Sequence, residues 1–330
     1  MALTLLAYRA LGLGDLLTAV PALRALARAF PEHRRVLAAP AALAPLAALT
    51  GAVDEVADTA PLAPLPPRLH GADVAVNLHG RGPQSHAVLR AARPRRLIAF
   101  GEPPEPVWRA GEHEVVRWCR LLVESGIPAD PADLRIPPPA APAAAAARDA
   151  TLIHPGAASG ARRWPAERWA VVARAVDGPV AITGSASERG LATAVAEAAG
   201  LPATCVLAGR TDLEGLAACV AAARRVACGD TGIAHLATAL GTPSVVLFGP
   251  TPPSEWGPPP DPRHVGLWAG RRGDAHASEP DPGLLEIGVR DVLQAVRALP
   301  GSGRRDSWAS PTRSPDVSRR LPATSPTTSR

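Results

Sequence analysis

Apolar and polar positions along this chain repeat one grammar: a short apolar run, a turn of small residues, then apolar residues at helical spacing. Residues 3–8 are apolar and strand-like, Gly12 and Gly14 fall in the turn that follows, and helical spacing runs from about 16 to 30. The same reading predicts strands near 35–39, 51–56, 72–78 and 96–100, with helices over 41–49, 84–92 and 112–125. A second series begins at 150–154, with strands at 178–183 and 204–207 and helices after Pro165 and over 187–199 and 213–223. Residues 225–228, 233–240 and 244–248 then read as strand, helix and strand, with Gly241 placed as the helix stop. Helical spacing resumes over 284–299. Alternating strands and helices predict an α/β protein with parallel sheet, and the alternation by itself fits one large doubly wound sheet or two smaller ones.

The 330 residues suit two domains of ordinary size, and an apolar share of 47% supplies a sizeable core. A change of composition at 137–149, Pro- and Ala-rich, reads as a linker. It separates an N-terminal domain, 1–136, from a C-terminal one, 150–299. The segment 300–330 is rich in Ser, Thr, Pro and Arg, and is expected to be a disordered tail. That tail changes the meaning of the +5 formal charge: its six Arg less two Asp account for +4, leaving about +1 for the folded part. The balance therefore gives no argument for nucleic acid, and the motifs of nucleic-acid readers are absent. Every basic side chain is Arg or His; there is no Lys. The four Cys have no metal or redox spacing, and a reducing cytoplasm fits them. The N-terminus lacks the basic region and cleavage site of a signal peptide, and no apolar run is long enough to span a bilayer.

Candidate chemistry sits in the turns. Gly229-Asp230-Thr231-Gly232 lies between a strand and a helix, where Asp230 or Thr231 can cap the first turn and small residues let a phosphate reach the backbone. His235 lies one turn further on. An ordinary tight turn with a packed His reads the same residues equally well. Gly12 and Gly14 fit the start of a dinucleotide fingerprint, but Leu17 holds the third glycine position and no acid follows the second strand, which argues against a nicotinamide enzyme. Asp15 is a helix-start carboxylate, suited to an N-cap or to a positioned base. His79 and Arg81 stand in a strand-end loop; Trp118, Trp164 and Trp169 read as packing residues. Glu188 opens a helix and favours it by charge alone.

Three segments carry a resemblance. GDTGIAHLATALGTP followed by LFGPTPPSEWGP, LGLGDLLTAVPALRAL near the start, and HPGAASGARRWPAERW in the middle resemble the motifs of glycosyltransferase family 9, the heptosyltransferase type. The resemblance implies two Rossmann-like domains facing across a cleft, the glycosyltransferase-B arrangement, with an acceptor-side N-terminal half and a donor-binding C-terminal half. It implies Asp15 as the base that takes the acceptor proton. Arg162 stands where many relatives have a Lys at the donor phosphates, which keeps the charge and changes its geometry. It implies donor contacts at Gly12, Gly14, Asp230, Thr231, Gly232 and His235, Glu188 at the donor ribose, and His79 and Arg81 toward the acceptor. The expected activity is inverting transfer of a heptose or similar sugar from a nucleotide-diphosphate donor, ADP-linked by preference, to a glycan or glycolipid hydroxyl. No metal or other cofactor is expected, because Arg162 and a helix N-terminus supply the charge. A cytoplasmic monomer with at most peripheral membrane contact completes the expectation. A nucleotide-sugar epimerase or hydrolase on the same fold, or a non-catalytic nucleotide-sugar binding protein, are the alternatives. Turnover without an acceptor marks the first, and donor affinity without turnover the second.

Overall fold

In the computed structural model, residues 3–300 are described; all but Pro300 of the tail expected to be disordered lies outside the described residues. Two five-stranded parallel sheets organise them. The first is built from β1 (Thr4–Tyr8), β2 (Arg34–Ala39), β3 (Glu55–Asp58), β4 (Val74–Asn77) and β5 (Arg96–Ile98), in the order β3-β2-β1-β4-β5. The second contains β6 (Thr151–His154), β7 (Val180–Ile182), β8 (Arg225–Gly229), β9 (Ser244–Phe248) and β10 (His264–Trp268), in the order β10-β9-β8-β6-β7. Of the two arrangements open to the alternation, the chain adopts two separate sheets.

The helices are α1 (Leu13–Thr18), α2 (Val20–Ala29), α3 (Ala44–Leu49), α4 (Gln84–Ala91), α5 (Glu114–Glu124), α6 (Ala166–Ala175), α7 (Arg189–Ala199), α8 (Leu213–Ala222), α9 (Gly232–Leu240), α10 (Pro253–Trp256), α11 (Pro282–Glu286) and α12 (Val289–Ala298). They cover the sheet faces, so the central strands are buried on both sides and read as continuous apolar runs: LLAY in β1, VACG in β8, SVVLF in β9. Gly241 ends α9 at φ 69°, the left-handed conformation that glycine adopts without strain. Trp118 packs with Phe100 and Trp108, and Trp164 lies edge-on to Trp169 at 4.9 Å, all in buried clusters as the sequence suggested.

Three local readings differ from the structure. Residues 203–205 are taken up in a single 3₁₀ turn after Pro202, which leaves Val206 alone to bridge to Ile182. The edge strand β10 is absent from the sequence reading: it has Gly266 at its centre and Pro-rich flanks, and only its parallel register with β9, His264 on Ser244 through Trp268 on Phe248, defines it. The C-terminal helical spacing breaks at Gly288, which caps α12 and donates to Asp291. The Pro/Ala-rich stretch is packed against the C-terminal half. Ile136 N–H donates to the Ala239 carbonyl at 3.0 Å, Asp149 N–H to that of Ala222 at 3.0 Å, and Ile136 and Ala147 are buried.

The strand orders decide where a ligand can sit. In each sheet the winding reverses once, between β1 and β4 in the first and between β6 and β8 in the second. Such switch points open a crevice beyond the carboxyl ends of the strands. Residues 9–15 and 78–81 follow the first reversal; residues 155–162 and 229–232 follow the second.

Candidate active site

The two crevices merge into one cleft of about 1080 Å³. Gly12, Gly14 and Asp15 line it from the first sheet, and Arg162, Glu188, Asp230, Thr231, Gly232 and His235 from the second. Segments more than 200 positions apart thus meet where α1 packs against α9, N-terminus to N-terminus. A methyl group on Gly14 would lie 2.8 Å from the His235 ring, and one on Gly232 would lie 3.0 Å from Leu13. A side chain at Gly14 would have to displace the His235 ring, and one at Gly232 would press on Leu13.

Asp15 is in the first turn of α1. One carboxylate oxygen accepts from Gly12 N–H at 3.2 Å and the other from the Arg9 guanidinium at 3.2 Å, and the side chain remains 26% exposed, toward the cleft. It is therefore both the helix-start acceptor and an oriented carboxylate.

Across the cleft, Thr231 occupies the N-cap of α9 in extended conformation, and no side chain caps that turn. The expected capping by Asp230 or Thr231 does not occur: the Asp230 backbone continues the sheet, donating to Leu247, and its side chain is buried. The first N–H groups of α9 are left facing the cleft, which suits an anion. Arg162 reaches over them, its Nη1 donating to the Asp230 carbonyl at 3.2 Å and its Nε to Ser159 Oγ at 3.3 Å. Ser159 in turn donates to the Ala275 carbonyl at 2.7 Å, which ties Arg162 to the 270–280 loop; His276 of that loop lines the cleft too.

Glu188 bonds Ser185 through its backbone N–H (2.8 Å) and hydroxyl (2.9 Å), and lies 4.0 Å from His154 Nε2. Burial alone would raise the Glu188 carboxyl; the Ser185 bonds, with His154 and Arg163 nearby, hold it below its ordinary value. His154, whose Nδ1 meets Thr183 Oγ1 at 3.0 Å, is a cleft residue that sequence reasoning passed over, as are Thr211, Asp212 and Leu216. The His-Pro-Gly start of the central motif was the available signal for His154; nothing local marked the others.

His235 packs between Gly14 and the Trp256 ring, and burial pushes its imidazole down to about 4, so it is neutral at physiological pH. The acceptor-side candidates divide. His79 stacks on Tyr8 at 4.7 Å behind Asp15's loop and is held neutral by burial and Arg9; Arg81 is an exposed loop residue. Neither lines the cleft.

Asp230 supplies a pH test. Its carboxylate accepts no hydrogen bond from a described residue. Burial raises its pKa from 3.8 to about 6, with Arg162 pulling it partly back. An acid raised in the folded state lowers stability when ionised. The cost is absent below about pH 4, grows between 4 and 6, and is full above; the shift corresponds to roughly 3 kcal/mol. Asp230→Asn is expected to melt higher than the parent at pH 8 and at the same temperature at pH 4, measured by thermal unfolding across pH. Equal melting at pH 8 would mean that the carboxylate is already compensated.

Two parallel-sheet domains meeting at a cleft, with a carboxylate on one wall and an Arg and a bare helix N-terminus on the other, define a glycosyltransferase-B architecture. The family profile described as Glycosyltransferase family 9 (heptosyltransferase) matches residues 105–281, just over half of the chain. The chain belongs to glycosyltransferase family 9. It is 34% identical over 158 residues to lipopolysaccharide heptosyltransferase 2 of Escherichia coli K12; the match covers 44% of this chain and 45% of that protein, a little under half its length. Among solved structures, the E. coli ADP-heptose lps heptosyltransferase II superposes with a TM-score of 0.69 at 21% identity, covering 90% of this chain and 98% of that one. A family 9 glycosyltransferase from Veillonella parvula gives 0.70 at 18%, covering 90% and 97%. At these identities the superpositions establish the fold.

Proposed function

We propose that the chain transfers a heptose or closely related sugar from a nucleotide-diphosphate donor, ADP-linked by preference, to a hydroxyl of a glycan or glycolipid, with inversion at the anomeric carbon. The observation that carries this reading is that Asp15 and the Arg162–α9 pair face each other across one cleft. The diphosphate lies at the α9 N-terminus beneath Arg162, and the nucleoside extends toward Glu188 and Thr211. The acceptor oxygen attacks the anomeric carbon while its proton passes to Asp15. The bond from that carbon to the diphosphate oxygen breaks, and the electron pair leaves on the nucleotide. Arg162 and the α9 N–H groups meet the negative charge as it develops. The solved E. coli relative is an ADP-heptose lps heptosyltransferase, which supports the choice of ADP. Among the described residues no helix is long and apolar enough to cross a membrane, which fits an acceptor met at a surface.

The test is thermal stabilisation by ADP, UDP, GDP and dTDP, with and without magnesium. A ligand at 100 times its dissociation constant stabilises by about 2.7 kcal/mol. Selective stabilisation by ADP, unchanged by EDTA, is the expected result. Preference for another nucleotide would move the enzyme to another sugar, and no shift with any of them would overturn the donor site.

A further inference from the structure

Behind Asp15 lies a buried charge cluster that the transfer reaction does not touch. Arg9, 2% exposed, ends β1 and turns its guanidinium back under α1. It donates to the Asp15 carboxylate at 3.2 Å, to Thr18 Oγ1 at 3.1 Å, to the Asp15 and Leu78 carbonyls, and to Glu114 Oε1 at 3.0 Å. Glu114 arrives from α5, 105 positions away. Trp118 Nε1 donates to the same Oε1 at 2.8 Å, and the other oxygen, Oε2, pairs with Arg117. Arg9 also lies 4.9 Å from the centre of the Trp118 ring. Burial would push the Glu114 carboxyl up, but Arg9 and Arg117 together hold it below its ordinary value, so it is charged.

We propose that Glu114, acting through Arg9, is a positioning residue that orients Asp15 and shares the Arg9 charge, so that Asp15 keeps the capacity to accept a proton. The proposal rests on Asp15 being the base. The cluster holds two cations, Arg9 and Arg117, and two anions, Asp15 and Glu114, and is neutral as a whole. A lone buried guanidinium against Asp15 would pin that carboxylate as an ion pair and weaken it as a base. Glu114 shares that guanidinium while the five-donor fork of Arg9 fixes the carboxylate's direction. The other titratable groups facing the cluster are neutral at physiological pH: His79, after β4, and His235, on α9, are both lowered by burial. His113, at the N-cap of α5, turns away to the Gly257 carbonyl at 2.9 Å. They leave Glu114 as the counter-charge that tunes Arg9.

The experiment is the pH profile of kcat for the full chain with an active donor and acceptor pair, for Glu114→Gln, Arg117→Gln and Asp15→Asn. Removing the negative charge at 114 is expected to move the acid limb down by about 0.5–1 pH unit and lower the plateau several-fold, with donor KM within twofold. Removing the positive charge at 117 frees Glu114 for Arg9 and is expected to move the limb upward. Opposite shifts from two neighbours on one helix are a signature that general loosening does not produce. Limbs unmoved in both variants, with Asp15→Asn inactive, would overturn the positioning role and leave the base intact. Full activity in Asp15→Asn would overturn the base and this proposal with it. Should Glu114→Gln fail to fold cooperatively, the sign of the Arg117→Gln shift decides alone.

Discussion

Asp15→Asn is expected to lower kcat by about 10²–10⁴ while leaving ADP affinity within twofold. The amide is isosteric and still accepts from Gly12 N–H, so the start of α1 and its contact with α9 survive. What disappears is the site that takes the proton, together with the ion pair to Arg9. Loss on that scale in initial rates, with unchanged thermal stabilisation by ADP, is the signature of a base. An N-cap alone gives the reverse pattern: a small change in rate and about 1 kcal/mol of lost stability. The comparison is clean because Asp15 approaches the cleft from the first sheet, whereas the diphosphate is assigned to the second.

The second large effect is at Arg162. Truncation to Ala is expected to cost about 10²–10³ in kcat, since a donor aimed at charge that develops in the transition state is worth that much. ADP affinity should fall as well, because the nucleotide already carries charge in the ground state. Arg162→Lys should recover a part of both losses. It restores a cation at this place but not the two-point anchoring on Ser159 and the Asp230 carbonyl. Steady-state rates and ADP calorimetry on the two variants check this. An Ala variant with parental kcat would return Arg162 to the surface.

Asp15 and Arg162 stand out because the motifs that hold them resemble those of glycosyltransferase family 9, and each sits in a turn between strand and helix, a local object of a few residues. The turn at 229–232 was legible for the same reason, yet its detail was not: Asp230, which reads as a cap, is buried, and the cap position is left bare. Whether a side chain near a helix start turns to the backbone or to the interior depends on how the turn is held by distant segments, here by β9, whose Leu247 carbonyl takes the Asp230 N–H. His79 and Arg81 were placed toward the acceptor by their loop, and the structure puts the first against Tyr8 and the second in solvent. Loop position gives the end of the sheet a residue belongs to, not the direction of its side chain.

What this sequence determined by itself is the alternation of strand and helix, the central apolar strands, the glycine that ends α9, and the three turn motifs. All of these are encoded within windows of a few to fifteen residues, where periodicity, capping and backbone freedom act. The alternation alone left one sheet or two open; length, linker and family resemblance pointed to two across a cleft, and the structure has two. Only the tertiary structure decided that β10 joins β9 and that α1 meets α9 where the turns at 12–15 and 229–232 share a cleft. It also decided that Glu114 meets Arg9 across 105 positions. These are pairings between distant segments, and their energy comes from surface buried and charge neutralised when both partners arrive, so neither partner carries the pairing in its own neighbourhood.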